Sequence, residues 1–249
     1  MKTTILSTLG AALCVLALTN PASHAATIAS DNASNPAYAG PAWPNGSNGG
    51  TGFGAWSFAT SGGGGRYLGG TGLGATTFGL FAGGGGGNNS SATRPFTGAL
   101  TAGQTFSIDL GHSTSIATGG EVGLNLLDGG SAVFTLKFVG GLSFWRLNDG
   151  GISGDFDSTQ GYAANTPLHF SFTYNGGSSY SYTFGASSGT NFTATSTISN
   201  ITAVKVFSNA QGGGENAGSN NPSIVPEPAS LGLLLMSGIG MLGLRRRRV

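Results

Sequence analysis

Four oxygen-bearing side chains lie close together in the middle of the chain: Asn148, Asp149, Asp155 and Asp157. Residues two apart in a strand point to the same face, so Asp155 and Asp157 are expected to share one. Carboxylate and amide oxygens are the ligands that Ca²⁺ prefers. Asp149, Asp155 and Asp157 are therefore a candidate calcium site, although the ligand spacing of an EF-hand loop is absent. The alternative is a polar turn at Asp149-Gly150-Gly151.

The pair Asp155 and Asp157 could also serve as the two carboxyl groups of a glycoside hydrolase. That reaction needs two carboxyl groups facing each other across a cleft in different environments. Neighbouring carboxylates on one face of a glycine-rich loop suit contact with solvent better. A protein without enzymatic activity is therefore predicted, and a polysaccharide hydrolase is the remote alternative.

Aromatic side chains could bind sugars by stacking on pyranose rings. Trp145, flanked by Arg146 and Asn148, is the best candidate for a carbohydrate site. The alternative is that the aromatic residues pack in a core. Core packing is favoured for Tyr174, Tyr180 and Tyr182, which share a face with phenylalanines.

Other catalytic or cofactor-binding patterns are weak. His112 and His169 have no spaced metal-ligand partner and are predicted to be surface residues. Ser113 is next to His112 in sequence, which is not the geometry of a catalytic triad, and no Gly-x-Ser-x-Gly elbow occurs. The glycines form neither a dinucleotide-binding nor a Walker A pattern. No cofactor is expected other than the possible calcium ion.

The composition favours short strands joined by glycine turns. Glycine accounts for 47 of 249 residues and charged residues for only 8%, which could indicate disorder. However, 15 Phe, 6 Tyr and 3 Trp supply more aromatic surface than disordered chains carry. Residues 26–224 contain five basic and eight acidic side chains, a net charge of −3. This balance argues against binding to nucleic acid.

Hydrophobic residues alternate with polar ones in about ten segments, and no helical period is found in the central region. Clear examples are Phe106/Ile108/Leu110 and Leu168/Phe170/Phe172, and Asp128-Gly129-Gly130 has the composition of a hairpin turn. The predicted fold class is all-β, an antiparallel β-sandwich or jelly-roll-like domain. A signal helix at the N-terminus and a transmembrane helix at the C-terminus complete the prediction.

The predicted organisation has five parts. Residues 1–25 form a signal peptide and residues 26–51 an irregular N-terminal arm. The β-sandwich covers residues 52–210, a Gly/Asn spacer covers residues 211–224, and residues 225–249 form a C-terminal sorting segment.

The N-terminal segment has the three parts of a secretory signal. Lys2 is followed by an apolar stretch, and Ser23 and Ala25 place small residues before a predicted cleavage at Ala26. The single cysteine, Cys14, lies within the apolar stretch. The exported chain would therefore have no disulfide.

The C-terminal segment combines a proline turn, an apolar span and a basic stop. Pro226, Glu227 and Pro228 precede residues 229–244, which carry no charge. A helix of this length reaches roughly 24 Å, short of the ~30 Å hydrocarbon core of a bilayer. The positive-inside rule places the arginine cluster in the cytoplasm. The cluster consists of Arg245, Arg246, Arg247 and Arg248. An ordinary single-pass anchor is the alternative interpretation.

These three parts, in this order, resemble the PEP-CTERM sorting domain of Gram-negative bacteria. The resemblance covers about a tenth of the chain. It implies that Pro226, Glu227 and Pro228 are recognised by the membrane protease exosortase. The chain would pass transiently through the inner membrane and reach the cell surface or an exopolysaccharide matrix. The expected function is that of an exported surface or matrix protein, and the alternative is an exopolysaccharide-binding module.

Overall fold

The computed structural model describes residues 26–226, except 39–41, 75, 84, 114, 151–154, 195–197, 199, 211 and 213–215. Residues 27–226 form one compact unit. The predicted signal peptide and the predicted transmembrane helix lie outside the described residues. Among the described residues, no helix is long and apolar enough to cross a membrane.

The described residues form fifteen strands that pair antiparallel in two sheets. The eight-stranded sheet has the order β13-β12-β11-β6-β15-β4-β3, with β1 paired to β15. Its strands are β1 (Ala29–Ser30), β3 (Gly64–Gly69), β4 (Thr77–Ala82), β6 (Gln104–His112), β11 (Leu168–Gly176), β12 (Ser179–Phe184), β13 (Ser187–Thr193) and β15 (Ala217–Pro226).

The seven-stranded sheet has the order β10-β9-β8-β7-β14-β5-β2. Its strands are β2 (Ser57–Ser61), β5 (Asn89–Pro95), β7 (Glu121–Asp128), β8 (Ser131–Val139), β9 (Phe144–Asn148), β10 (Phe156–Gly161) and β14 (Ala203–Asn209). The predicted all-β class and the antiparallel sandwich are confirmed for the described part of the chain.

The core lies between the two sheets and is built by the alternation seen in the sequence. Phe106, Ile108, Phe170 and Phe172 from one sheet and Leu124 from the other are all fully buried. Their polar neighbours in each strand point outward, as the pleat requires. The turn Asp128–Ser131 joins β7 to β8, and Gly129 and Gly130 both have positive φ (55° and 101°). Two such residues are what a tight type I′ hairpin needs, so the glycine pair explains this connection.

Residues 26–51 are largely irregular, as predicted, but they are packed into the domain. Trp43 is fully buried, and its ring lies edge-on to Trp56 at 4.9 Å. A buried polar network also ties this segment to β5. The Arg94 guanidinium lies 3.0 Å from the Asp31 carboxylate, and both side chains are fully buried. The Tyr38 hydroxyl donates to the same carboxylate, and Arg94 Nη2 donates to the Gly49 carbonyl at 2.6 Å.

The predicted Gly/Asn spacer at residues 211–224 is wrong for most of its length. Residues 217–226 form β15, which lies in the sheet between β6 and β4. The small polar residues of this segment misled the prediction, since glycine and asparagine are rare in strands. Position 218 requires glycine because the Thr71 side chain lies directly against the sheet there. A Cβ at Gly218 would lie only 1.7 Å from Thr71 Oγ1.

Candidate functional site

A groove of about 480 Å³ runs over the outer face of the seven-stranded sheet. Three rows of outward-pointing residues cross the strands on this face, and the groove is lined by the part of each row that lies on β2, β5, β14, β7 and β8. The Glu121 row contains Ser61, Asn89, Asn209, Glu121 and Val139. The middle row contains Ala59, Ser91, Phe207, Gly123, Lys137, Arg146 and Asp157. The Lys205 row contains Ser57, Thr93, Lys205, Asn125, Thr135 and Asn148.

Gly123 in the middle row is buried where β7 pairs with β8. A Cβ at this position would lie 2.1 Å from the carbonyl oxygen of Leu136 on the neighbouring strand. The close approach of β7 and β8 therefore leaves room for glycine alone. Phe207, its partner across the pair with β14, lines the groove and is 6% exposed.

The walls of the groove carry amides and hydroxyls. Thr135 Oγ1 donates a hydrogen bond to Asn125 Oδ1 at 2.9 Å. The Nδ2 hydrogens of Asn125 are not used in that bond. Asn89, Ser91 and Asn209 line the opposite side. Such groups offer both donors and acceptors, the chemistry that a polyhydroxylated ligand requires.

One end of the groove is closed by an ion-pair cluster around Lys137. The Lys137 ammonium lies 3.1 Å from a Glu121 oxygen and 3.1 Å from an Asp155 oxygen. Asn148 Nδ2 donates to the second Asp155 oxygen at 3.1 Å. Burial raises the pKa of Asp155, but hydrogen bonds from Asn148 and Lys137 outweigh it, and the pKa is lowered overall. Asp155 is therefore an ionised partner of Lys137.

The candidate calcium residues do not converge. Asp155 contacts Lys137, while Asp157 pairs with Arg146 at 3.2 Å. Asp149 is buried and accepts a hydrogen bond from the Tyr180 hydroxyl at 3.0 Å. The described residues contain no group of three or more His, Cys, Asp or Glu side chains arranged to hold a metal ion. Two of the three predicted carboxylates thus face cations, and the third faces the core.

The predicted carbohydrate residues are divided between the two faces of β9. Trp145 is fully buried, and the centres of its ring and the Phe184 ring lie 4.9 Å apart. The prediction that Trp145 stacks on a sugar is therefore wrong. Arg146 and Asn148 do lie on the outer face, in the middle row and the Lys205 row. Successive side chains of a strand point to opposite faces, and Phe144 therefore lies on the outer face with them. Phe144 is 42% exposed and is the aromatic residue that the sequence interpretation missed.

The two histidines also differ from each other. His169 is exposed, as predicted, and its Nδ1 lies 2.7 Å from an Asp109 oxygen. His112 was predicted to be a surface residue, but it is buried between Trp145 and Tyr162. Burial lowers the pKa of His112 to about 3. It is therefore a neutral core residue at physiological pH.

Neither a protein-family model nor a curated protein matches the chain. Solved structures match its fold. A sialidase aligns with a TM-score of 0.52 at 11% identity, covering 69% of this chain. The globular domain of T. cruzi calreticulin gives 0.47 at 7% identity, covering 73% of this chain and 88% of that one. A cellulose-induced protein, Cip1, gives 0.44 at 13% identity, covering 68% and 90%.

Of these three, the sialidase alone exceeds a TM-score of 0.5, and at 11% identity it supports the fold alone. The chain spans 17% of the length of that sialidase. The fold class is accordingly a two-sheet antiparallel β-sandwich.

Proposed function

We propose that this protein is an exported glycan-binding module that acts through the groove on the seven-stranded sheet. The observation that carries the proposal is the groove itself, about 480 Å³ in volume and lined by amides and hydroxyls from five adjacent strands. This volume lies within the range of typical small-ligand sites. A polar lining on a rigid sheet suits a hydroxyl-rich ligand better than an apolar one.

An exposed aromatic ring supports the same ligand class. Phe144 lies two residues from Arg146 on the outer face of β9, beyond the ion-pair cluster. A ring of this exposure can stack against the apolar face of a sugar, with Arg146 next to it on the same face of β9. A glycan chain could then extend from the groove across Lys137 towards Phe144.

The charged groups of the site favour binding over hydrolysis. Glycoside hydrolysis needs one protonated carboxyl group and one ionised carboxylate, facing each other across the bond to be cleaved. Here Glu121 and Asp155 both contact Lys137. Two carboxylates held by one ammonium are poorly placed to act as separate acid and base.

The purified full-length protein, screened on a glycan array, tests the proposal. We expect binding to at least one polysaccharide and expect Asn125→Ala to weaken it roughly fivefold to tenfold, the effect of one lost hydrogen bond. The control is Ser107→Ala, which removes a hydroxyl on the outer face of the other sheet, where Ser107 pairs with Ser223. The proposal fails if no polysaccharide is bound, or if both variants weaken binding equally.

We further propose that the C-terminal segment sorts this module to the cell surface or an exopolysaccharide matrix. The support is the order of its parts: Pro226, Glu227 and Pro228, the apolar span and four arginines. Glu227 and all later residues lie outside the described residues. Glu227→Ala should leave uncleaved protein in the inner membrane, detected by fractionation and mass. Unchanged surface delivery would indicate a simple anchor.

A further inference from the structure

The cations of the described residues are almost all engaged. Arg94 and Asp31 form a buried ion pair, and Lys137 and Arg146 each contact carboxylates on the sheet surface. Arg66 donates from Nε to the Trp43 carbonyl at 2.9 Å, and its guanidinium lies 4.0 Å from the Phe58 ring centre. Lys205 is the exception. Within the described part of the chain, its ammonium has neither a hydrogen bond nor an ion pair.

Lys205 lies in the groove. It projects from β14 between Thr93 on β5 and Asn125 on β7, and it is partly buried. Both neighbours are uncharged. A partly desolvated ammonium with uncharged neighbours gains more from an incoming anion than a fully solvated lysine does.

Glu121, the acidic residue that lines the groove, is too far away to satisfy Lys205. The Lys205 row and the Glu121 row are four residues apart along β7, a separation of about 13 Å. This exceeds the screening length of ~8 Å at physiological salt. Glu121 is moreover neutralised by Lys137 at its own end. The groove is thus polar along its length. At one end the Lys205 ammonium has no anionic partner among the described residues. At the other end the Lys137 ammonium contacts the carboxylates of Glu121 and Asp155.

We infer that the groove selects an acidic oligosaccharide and that Lys205 binds its anionic group. This inference rests on the proposed glycan-binding function and adds the ligand class. The amide of Asn125 and the hydroxyls near it receive the sugar ring next to the charged group. The chain of the ligand runs from Lys205 towards Lys137. The anion can be the carboxylate of a uronic acid or a sulfate ester, since both present oxygens to an ammonium.

Calorimetry on the purified full-length protein with three matched ligands tests this inference. The probes are tetragalacturonate, its fully methyl-esterified form and a sulfated galactan oligosaccharide of the same length. We expect an acidic probe to bind at least tenfold more tightly than the ester, with affinity falling as salt rises. Lys205→Met should remove most of that preference, whereas Lys205→Arg, which keeps the charge, should retain it. Binding of only one acidic probe identifies whether carboxylate or sulfate is recognised.

The outcomes separate this inference from the function on which it rests. Equal affinity for all three probes overturns the inference, but leaves a module for neutral glycans. Absence of binding to these probes and to the whole glycan array overturns both. An acid preference that persists unchanged in Lys205→Met also overturns the assignment of Lys205. The comparison of ligands on the unmodified protein does not depend on the folding of any variant.

Discussion

His112 illustrates at the residue scale how burial changes the chemistry of a side chain. It ends β6 and packs 5.2 Å from the Trp145 ring and 5.5 Å from the Tyr162 ring, with its pKa lowered by burial to about 3. Between pH 6.5 and about 3, the unfolded chain takes up a proton at His112 that the folded chain does not. Stability therefore falls as the pH falls through this range.

We predict that His112→Gln flattens this dependence. The wild-type free energy of unfolding should fall by up to about 1.4 kcal/mol per pH unit more than that of the variant. Urea unfolding at pH 7, 6, 5 and 4 measures the difference. Ser107→Ala, which changes no ionisable group, should keep the wild-type acid slope. Parallel curves for wild type and His112→Gln would contradict the buried, neutral state of His112.

The buried pair of Asp31 and Arg94 gives a second prediction at this scale. Arg94→Met leaves an ionised or newly protonated carboxyl group in the core and should cost about 3–5 kcal/mol. Adding Asp31→Asn to the same chain should restore part of that stability, since the unpaired charge is gone. A double-mutant cycle by urea unfolding measures the coupling. Strictly additive effects would show that the two groups do not act as a pair.

Strand β9 shows at the element scale how much of the site the sequence could predict. The sequence analysis grouped Trp145, Arg146 and Asn148 as one carbohydrate site. In β9 the alternation of the strand puts Arg146 and Asn148 on the outer face and sends Trp145 to the core. A shift of one residue along a strand exchanges the core face for the solvent face. The large ring of Trp145 belongs inside, and the smaller ring of Phe144 remains outside.

The groove could not be predicted, because its residues come from five strands that are distant in sequence. Lys205 and Asn125 become neighbours only through the register of β14 on β7. Likewise, the Lys137 ammonium forms ion pairs with Glu121 from β7 and with Asp155 from the segment before β10. Period-2 patterns identify which residues share a face of one strand, but they do not determine the order of strands in a sheet. The strand order is decided by long-range packing.

A third prediction concerns the loop between β3 and β4 that covers the eight-stranded sheet. Thr71 of this loop lies over Gly218 and approaches Thr77 with a hydroxyl–hydroxyl distance of 2.5 Å. Gly218→Ala should displace Thr71 and cost about 1–3 kcal/mol, the usual effect of overpacking. Gly98→Ala is the matched control, because an added Cβ at Gly98 meets no atom within 4 Å. Thermal unfolding of the two variants tests the difference, and equal midpoints would contradict it.

At the scale of the whole molecule, the position of β15 determines how the eight-stranded sheet is held together. This strand comes last in the described sequence, yet it lies between β6 and β4, and it also pairs with β1. Its register with β6 runs from Ala217–His112 to Pro226–Gln104. The strand thus connects two parts of the eight-stranded sheet that have no other link within that sheet among the described strands.

We predict that a chain ending at Asn216 does not fold cooperatively, whereas a chain ending at Pro226 does. Without β15 the eight-stranded sheet separates into β13-β12-β11-β6 and β4-β3, and both new edges expose unpaired backbone groups. Near-UV circular dichroism and urea unfolding measure the loss of fixed packing. A shared unfolding midpoint for the two chains would place β15 outside the cooperative unit.

The same position of β15 sets the order of events during synthesis. A chain that leaves a ribosome from its N-terminus presents fourteen of the described strands before β15, the strand that joins them. Until Pro226 has emerged, the two parts of the eight-stranded sheet have no strand between them. The domain therefore gains its complete sheet only after nearly all of the described residues have been synthesised.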